Sequence, residues 1–186
     1  HGKVYTEGLR FHVIMADVEK LNRMSFAGET DISKLSYHAY ACIADKYKLL
    51  NSGSALGFGN GPLLISKKKI YPDEVSSLRV AIPGKYTTAN LLFGIEYPQI
   101  KEKREYLFSD IEDAILGEET DAGVIIHENR FTYQKKGLKK IVDLGELWEK
   151  KTHGPISLGG IAIQRNFPDE IQEKVDRVMR RSVEFA

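Results

Sequence analysis

One cysteine, no long apolar run and almost no net charge mark this 186-residue sequence, and each shortage excludes something. A lone Cys42 cannot close an internal disulfide, so no disulfide framework holds the fold and the chain suits a reducing compartment. Its place among Tyr40, Ala41 and Ile43 predicts a buried structural thiol rather than a reactive one. No apolar stretch approaches the roughly 20 residues that cross a bilayer, and no signal-peptide pattern opens the chain. The lack of a long apolar run predicts no membrane insertion, and a cytoplasmic location is expected from the class of protein rather than from the N-terminus. With 27 basic residues against 26 acidic and a net charge of +1, the chain has no field to recruit nucleic acid or an acidic membrane surface. No His, Cys and carboxylate set has metal-ligand spacing, and no Gly-x-Ser-x-Gly elbow is present. The glycines of Gly57-Phe58-Gly59-Asn60-Gly61 form neither a Walker loop nor a dinucleotide fingerprint, because no Lys-Ser/Thr follows and a strand comes next. They read as a turn at a crossover. Nothing repeats internally, and nothing fixes an oligomeric state.

What is present is an apolar fraction of 42%, enough for a core, arranged in alternating strand and helix patterns. Asp17 caps a predicted helix over residues 17–27, with Val18, Leu21, Met24 and Ser25 on one face and Gly28 at its end. A strand over 31–35 leads to Ser36, which caps a helix over 37–49. Residues 62–66 and 78–82 read as buried strands separated by a polar excursion over 67–77. Thr87 and Thr88 open a helix reaching Ile95, and Ser109 caps another that ends at Gly117. Residues 124–126 form a strand, Asp143 caps a helix through Trp148, 157–163 is a strand, and Pro168 starts the last helix. The short basic runs at Lys67-Lys68-Lys69, Lys135-Lys136 and Lys139-Lys140 read as solvated loops. This alternation predicts an α/β protein with mostly parallel pairing and sheets covered on both faces.

In such sheets ligands gather at the carboxyl ends of strands, and three places qualify. At Lys34-Leu35-Ser36 a strand runs into a helix start, where unpaired amides and the Ser36 hydroxyl suit a carboxylate or phosphate. The plain alternative is that Ser36 only caps its helix. At Gly84-Lys85-Tyr86-Thr87-Thr88-Ala89 a Pro-Gly turn and two threonines build another helix N-terminus, with a simple Thr cap as the alternative. His127 follows an apolar strand, where a neutral imidazole can take a proton near neutral pH. Glu128 and Arg130 stand close enough in sequence to orient a substrate or the ring. The alternative is a structural histidine bonded to a carbonyl. His1, His12, His38 and His153 lack this placement, although His38 comes early in a helix. Phe131 and Tyr133 suit either an aromatic ligand or the core.

The strings DVEKLNR, KLSYHAYA, GSALGFGNGPLL, VAIPGKYTTANLL, DAGVIIHENRFTY and VDLGELWEKKTHGPISLGGIAIQR resemble the 1,4-dihydroxy-6-naphthoate synthases of the futalosine route to menaquinone. The likeness runs from Asp17 to the end of the chain. It implies a two-lobed type II periplasmic-binding-protein-like fold with the ligand in the interlobe cleft. Residues 1–66 would be the first lobe, 67–77 a crossover, 78–156 the second lobe, and 157–186 a strand and helix returning to the first. It implies a lyase that converts cyclic dehypoxanthine futalosine, a small carboxylate, to 1,4-dihydroxy-6-naphthoate without metal or organic cofactor. His127 matches the proton acceptor. Lys34, Leu35 and Ser36 match one substrate-binding segment, and Thr88 and Ala89 the other; Thr87 and Arg130 are further candidates.

Family members carry a strand and an SPCPNDT-like loop ahead of the His1-Gly2 start, and further helices beyond Ala186. The resemblance therefore implies that the first lobe lacks its N- and C-terminal parts here, with a sheet edge and apolar surface left open. Competing readings are a non-enzymatic small-anion solute-binding protein of the same fold, the related chorismate dehydratase, and an inactive regulatory module.

Overall fold

Strands from distant parts of the chain sort into two sheets, each belonging to its own unit. The computed structural model describes residues 3–186; His1 and Gly2 lie outside the described residues. One unit consists of His1–Ala55 and Leu158–Ala186, and the other of Leu56–Ser157.

In the first unit, helix α1 (Val18–Phe26) leads to β1 (Ile32–Ser36), α2 (Tyr37–Ile43) and β2 (Tyr47–Leu49). Strand β3 (Ala55–Gly57) carries the chain out, and β9 (Ile156–Gln164) brings it back to a last helix, α7 (Asp169–Phe185). β9 lies between β1 and β2, antiparallel to both, and β3 also pairs with it. Its side chains alternate between two clusters. Ile161 and Ile163 meet Leu50, Ile171 and Val175, while Ala162 meets Leu35, Ile43 and Tyr47. A strand apolar on both faces reads as one continuous run, which is how the sequence shows it. Gly159 sits opposite Ser36, and a Cβ there would come within 2.5 Å of the Leu35 carbonyl oxygen. Only glycine lets the two backbones approach so closely.

The second unit is contiguous. It contains β4 (Leu63–Ser66), β5 (Val80–Ile82), α3 (Thr88–Glu96), β6 (Lys103–Glu105), α4 (Ile111–Leu116), β7 (Ala122–Ile125), α5 (Asn129–Thr132), β8 (Lys139–Asp143) and α6 (Leu144–Thr152). The sheet order is β6-β5-β7-β4-β8. β5 runs parallel to β6 and β7, whereas β4 runs antiparallel to β7 and β8. Ile111 and Ile115 of α4 pack on Leu63, Ile65, Ala81 and Ile125. The alternate residues Leu64 and Val124 are fully buried too, where α3 contacts β7 and α6 contacts β4.

Several expectations are corrected. Pairing is mixed rather than mostly parallel, because β4 and β9 run against their neighbours, and a buried apolar strand reads alike in either direction. Residues 63–66, expected in the first lobe, lie in the second unit's sheet. The helix expected over 37–49 stops at Ile43. Tyr40, Ile43, Tyr47 and Leu50 keep helix-like spacing, yet Tyr47 is buried in β2 with its hydroxyl donating to the Thr30 carbonyl at 2.6 Å. Cys42 is exposed rather than buried, because α2 buries Ala39 and Ile43, a stripe that leaves Cys42 outside. Lys139-Lys140 belongs to β8 rather than to a loop, and β6 was not anticipated. Both are edge strands, where charged side chains ward off further pairing and erase the apolar signal. Ser109 does not cap α4; its hydroxyl donates to the Asp110 carboxylate, and Asp110 holds the cap position. β7 begins at Ala122 and ends at Ile125, two residues before His127. Pro168 stands just ahead of the first residue of α7.

The chain before α1 is tied to α7 by charge. The Glu7 carboxylate accepts from Arg177 at 2.7 Å and from Arg181 at 2.6 Å, one helical turn apart. Hydrogen bonds from Arg177 and then Arg181 lower its pKa from 4.5 to about 2. A depressed acid stabilises the fold fully above its unfolded value and loses that contribution as pH falls through the folded one. Thermal unfolding should therefore show a loss of stability between pH 4.5 and about 2 that Glu7→Gln makes shallower. Equal slopes in the two proteins would show that this carboxylate is not tied in solution.

Candidate functional site

Strand direction decides which side chains meet in the second unit. β5 and β7 are parallel, so their carboxyl ends share one edge of the sheet. β4 is antiparallel to β7 and begins at that edge, with Leu63 opposite both Ile125 and Asp143. The structure therefore brings Thr87, Thr88 and Ala89 (after β5), His127 and Arg130 (after β7), Gly61 (before β4) and Asp143 (ending β8) to a single edge.

Thr87 is the cap of α3. Its Oγ1 accepts from the Asn90 amide at 3.2 Å and donates to the Gly84 carbonyl at 2.8 Å. The turn before it needs Gly84, whose φ is 138°. Thr88 and Ala89 are the first helical residues and are buried. Amides in a first turn have no partner within the helix, and the dipole adds partial positive charge. Of the two threonines, Thr87 serves the backbone and Thr88 stands at the helix start.

His127 is exposed, with Ile126 between it and the end of β7. Its φ is 58°, in the left-handed region. Its ring meets Phe108 edge-on, with centroids 5.1 Å apart. The Arg130 amide donates to the His127 carbonyl at 3.2 Å. The Arg130 guanidinium donates from Nη1 to the Gly61 carbonyl and from Nη2 to Asp143 Oδ2, each at 2.6 Å. Asp143 Oδ1 in turn accepts from the amides of Gly145 and Glu146, capping α6 as expected. Phe131 is 75% exposed, whereas Tyr133 joins the core, so of these two aromatics only Phe131 offers a ring face to solvent.

The first unit carries the other segment. Ser36 caps α2, its Oγ accepting from the Ala39 amide at 3.3 Å. Leu35 is fully buried in the core, which leaves its backbone as the part able to meet a ligand; the Lys34 side chain is exposed. Asn22 organises this corner and was missed from the sequence. It has no exposed surface; its Oδ1 accepts from the Ser36 amide at 3.1 Å, and its Nδ2 donates to Ser36 Oγ at 3.0 Å. Glu19 accepts from Asn22 at 3.4 Å and from Arg23 at 3.1 Å. The buried face of α1 is thus Glu19, Asn22 and Ser25, not the apolar face expected. The spacing i, i+3, i+6 was the available signal, but a polar stripe ordinarily marks solvent.

Among the described residues, no group of three or more His, Cys, Asp or Glu could hold a metal ion, and no helix is long and apolar enough to cross a membrane.

The family described as menaquinone biosynthesis matches residues 3–186. A 1,4-dihydroxy-6-naphthoate synthase of Thermus thermophilus is 40% identical over the whole chain, which covers 67% of that protein. One of Streptomyces coelicolor is 36% identical over 94% of the chain and 63% of that protein. The chain thus spans about two thirds of the length of these curated relatives. A crystal structure of an Archaeoglobus fulgidus protein superposes with a TM-score of 0.92 at 41% identity, covering all of this chain and 68% of that one. The arginine-, lysine-, histidine-binding protein of Geobacillus stearothermophilus superposes with a TM-score of 0.65 at 13% identity, over 96% of this chain and 75% of that one. The fold is therefore the periplasmic-binding-protein-like α/β fold.

The Thr87 hydroxyl makes two hydrogen bonds, one buried and one partly buried, that no aliphatic side chain can replace. Thr87→Val should lower stability by about 1–2 kcal/mol, and Thr87→Ser by much less. Urea unfolding of both variants checks this; a larger loss in Thr87→Ser than in Thr87→Val would mean that the methyl group, not the hydroxyl, matters there.

Proposed function

This chain belongs to the menaquinone biosynthesis family, and on that premise we propose that it acts as a lyase converting cyclic dehypoxanthine futalosine to 1,4-dihydroxy-6-naphthoate. The observation that carries the proposal is His127, an exposed imidazole at the same sheet edge as the N-terminus of α3. His127 is the general base. Thr88 and Ala89 at the start of α3 hold polar groups of the substrate, its carboxylate among them, and Lys34, Leu35 and Ser36 form a second candidate substrate-binding segment. Positive helix-end potential and hydroxyl donors suit that carboxylate.

The reaction begins when His127 takes a proton from the substrate. A carbon–carbon bond then breaks, and its electron pair leaves with the departing fragment. The imidazolium returns the proton to that fragment, and aromatisation of the second ring supplies driving force. The step needs a base with a proton affinity near neutrality, which an imidazole has. It needs neither a metal nor an organic cofactor. A biosynthetic enzyme acting on a soluble intermediate belongs in the cytoplasm.

The test is turnover of cyclic dehypoxanthine futalosine by the full-length protein, followed by mass spectrometry. His127→Ala should lower kcat by about a hundredfold to ten-thousandfold while the compound still binds. An unchanged rate would remove His127 from the role of base. No product from a folded wild type that binds the compound would favour a solute-binding protein of the same fold.

A further inference from the structure

We propose that Arg130 and Asp143 form a positioning pair that holds His127 in its reactive orientation, an inference that rests on the role proposed above for His127. A residue with a Cβ is disfavoured at a φ of 58°, so the surroundings must hold His127 there. The turn that follows it supplies the hold. The Arg130 amide donates to the His127 carbonyl at 3.2 Å, and the Arg130 side chain leaves the turn with two anchors. Nη1 reaches the Gly61 carbonyl and Nη2 reaches Asp143 Oδ2, both at 2.6 Å. Gly61 precedes β4 and Asp143 ends β8, so one guanidinium ties the turn after β7 to the two strands that follow in sheet order.

Each anchor is itself fixed. Asp143 Oδ1 accepts from the Gly145 and Glu146 amides at 2.9 and 3.1 Å, so the carboxylate cannot swing. Gly61 is wedged against the first turn of α6, where a Cβ would come within 2.4 Å of the Gly145 Cα. The ion pair is shielded, with side-chain exposures of 14% for Arg130 and 4% for Asp143. Charge-assisted bonds away from water are short and stiff. With both terminal nitrogens so engaged, Arg130 acts on the substrate through His127. Lysine cannot replace it, because one ammonium cannot reproduce the planar fork.

The test uses the full-length protein with R130K, D143N, H127A and the double variant H127A/R130K. In D143N the amide oxygen keeps the cap of α6, so the change falls on the ion pair. R130K and D143N should each lower kcat by about tenfold to a hundredfold, the scale of a displaced reacting group. KM should stay within about threefold, because the contacts to the substrate are intact. Calorimetry with 1,4-dihydroxy-6-naphthoate should keep wild-type stoichiometry, which excludes a partly unfolded sample. H127A/R130K should be no slower than H127A, since the pair works only through the imidazole. The imidazole resonances of His127, identified by their loss in H127A, should shift in R130K. A rise in KM with unchanged kcat, an additive loss in H127A/R130K, or unshifted resonances would each overturn the proposal. Should R130K fail to fold, D143N carries the same readouts. A wild type that makes no product overturns the lyase reading alone; the resonances then decide the pair, since they need no turnover.

Discussion

Everything in the first unit hangs on the ladder of β9. That strand comes late in the chain, yet it lies between β1 and β2, which come early. Its two faces separate the clusters around Leu35 and around Val175, so without it neither cluster has a floor. The close approach at Gly159 lets its ladder with β1 run as far as Ser36, the residue that starts α2. The second unit is built from one uninterrupted stretch, so its sheet, the pairing of β4 with β8 included, can close without the rest of the chain. The first must wait for the chain to return, and contacts of long sequence separation form at a higher entropic cost.

Polar groups, rather than apolar packing, position the candidate ligand-binding residues. Asn22 grips Ser36 from a helix whose buried face is polar, and Glu19 and Arg23 stand behind it. Thr87 fixes the start of α3 by bonding in both directions. Buried polar groups are costly unless fully paired, and once paired they accept few alternatives. The candidate residues are therefore held more narrowly than residues lying on an apolar surface would be.

The sequence revealed the parts of this arrangement that depend on neighbours along the chain. Asp17, Ser36, Thr87 and Asp143 were legible as caps because a cap is a local contact. His127 was legible as a strand-end residue because the apolar run before it is distinctive. The direction of β4 and β9 was hidden, since a doubly buried strand has no polarity in its composition. β6 and β8 were hidden by the charges that protect a sheet edge. Tyr47 imitated a helix position until its hydroxyl found Thr30. Asn22 was invisible because its partner lies 14 residues away, and nothing local distinguishes it from a solvated asparagine.

The left-handed backbone at His127 also restricts what this position can become. Glycine and asparagine fit that conformation readily but cannot exchange a proton near neutral pH. Aspartate also fits, but its ordinary titration lies near pH 4. Glutamate and lysine carry titratable groups on longer stems, yet they gain nothing from this region of backbone space. Histidine combines tolerance of the conformation with the near-neutral titration of an ordinary imidazole, so backbone shape and the role proposed for His127 favour the same side chain. A search for altered activity in this scaffold therefore has more freedom at the flanking Glu128 and Phe131, both exposed, than at the imidazole between β7 and α5.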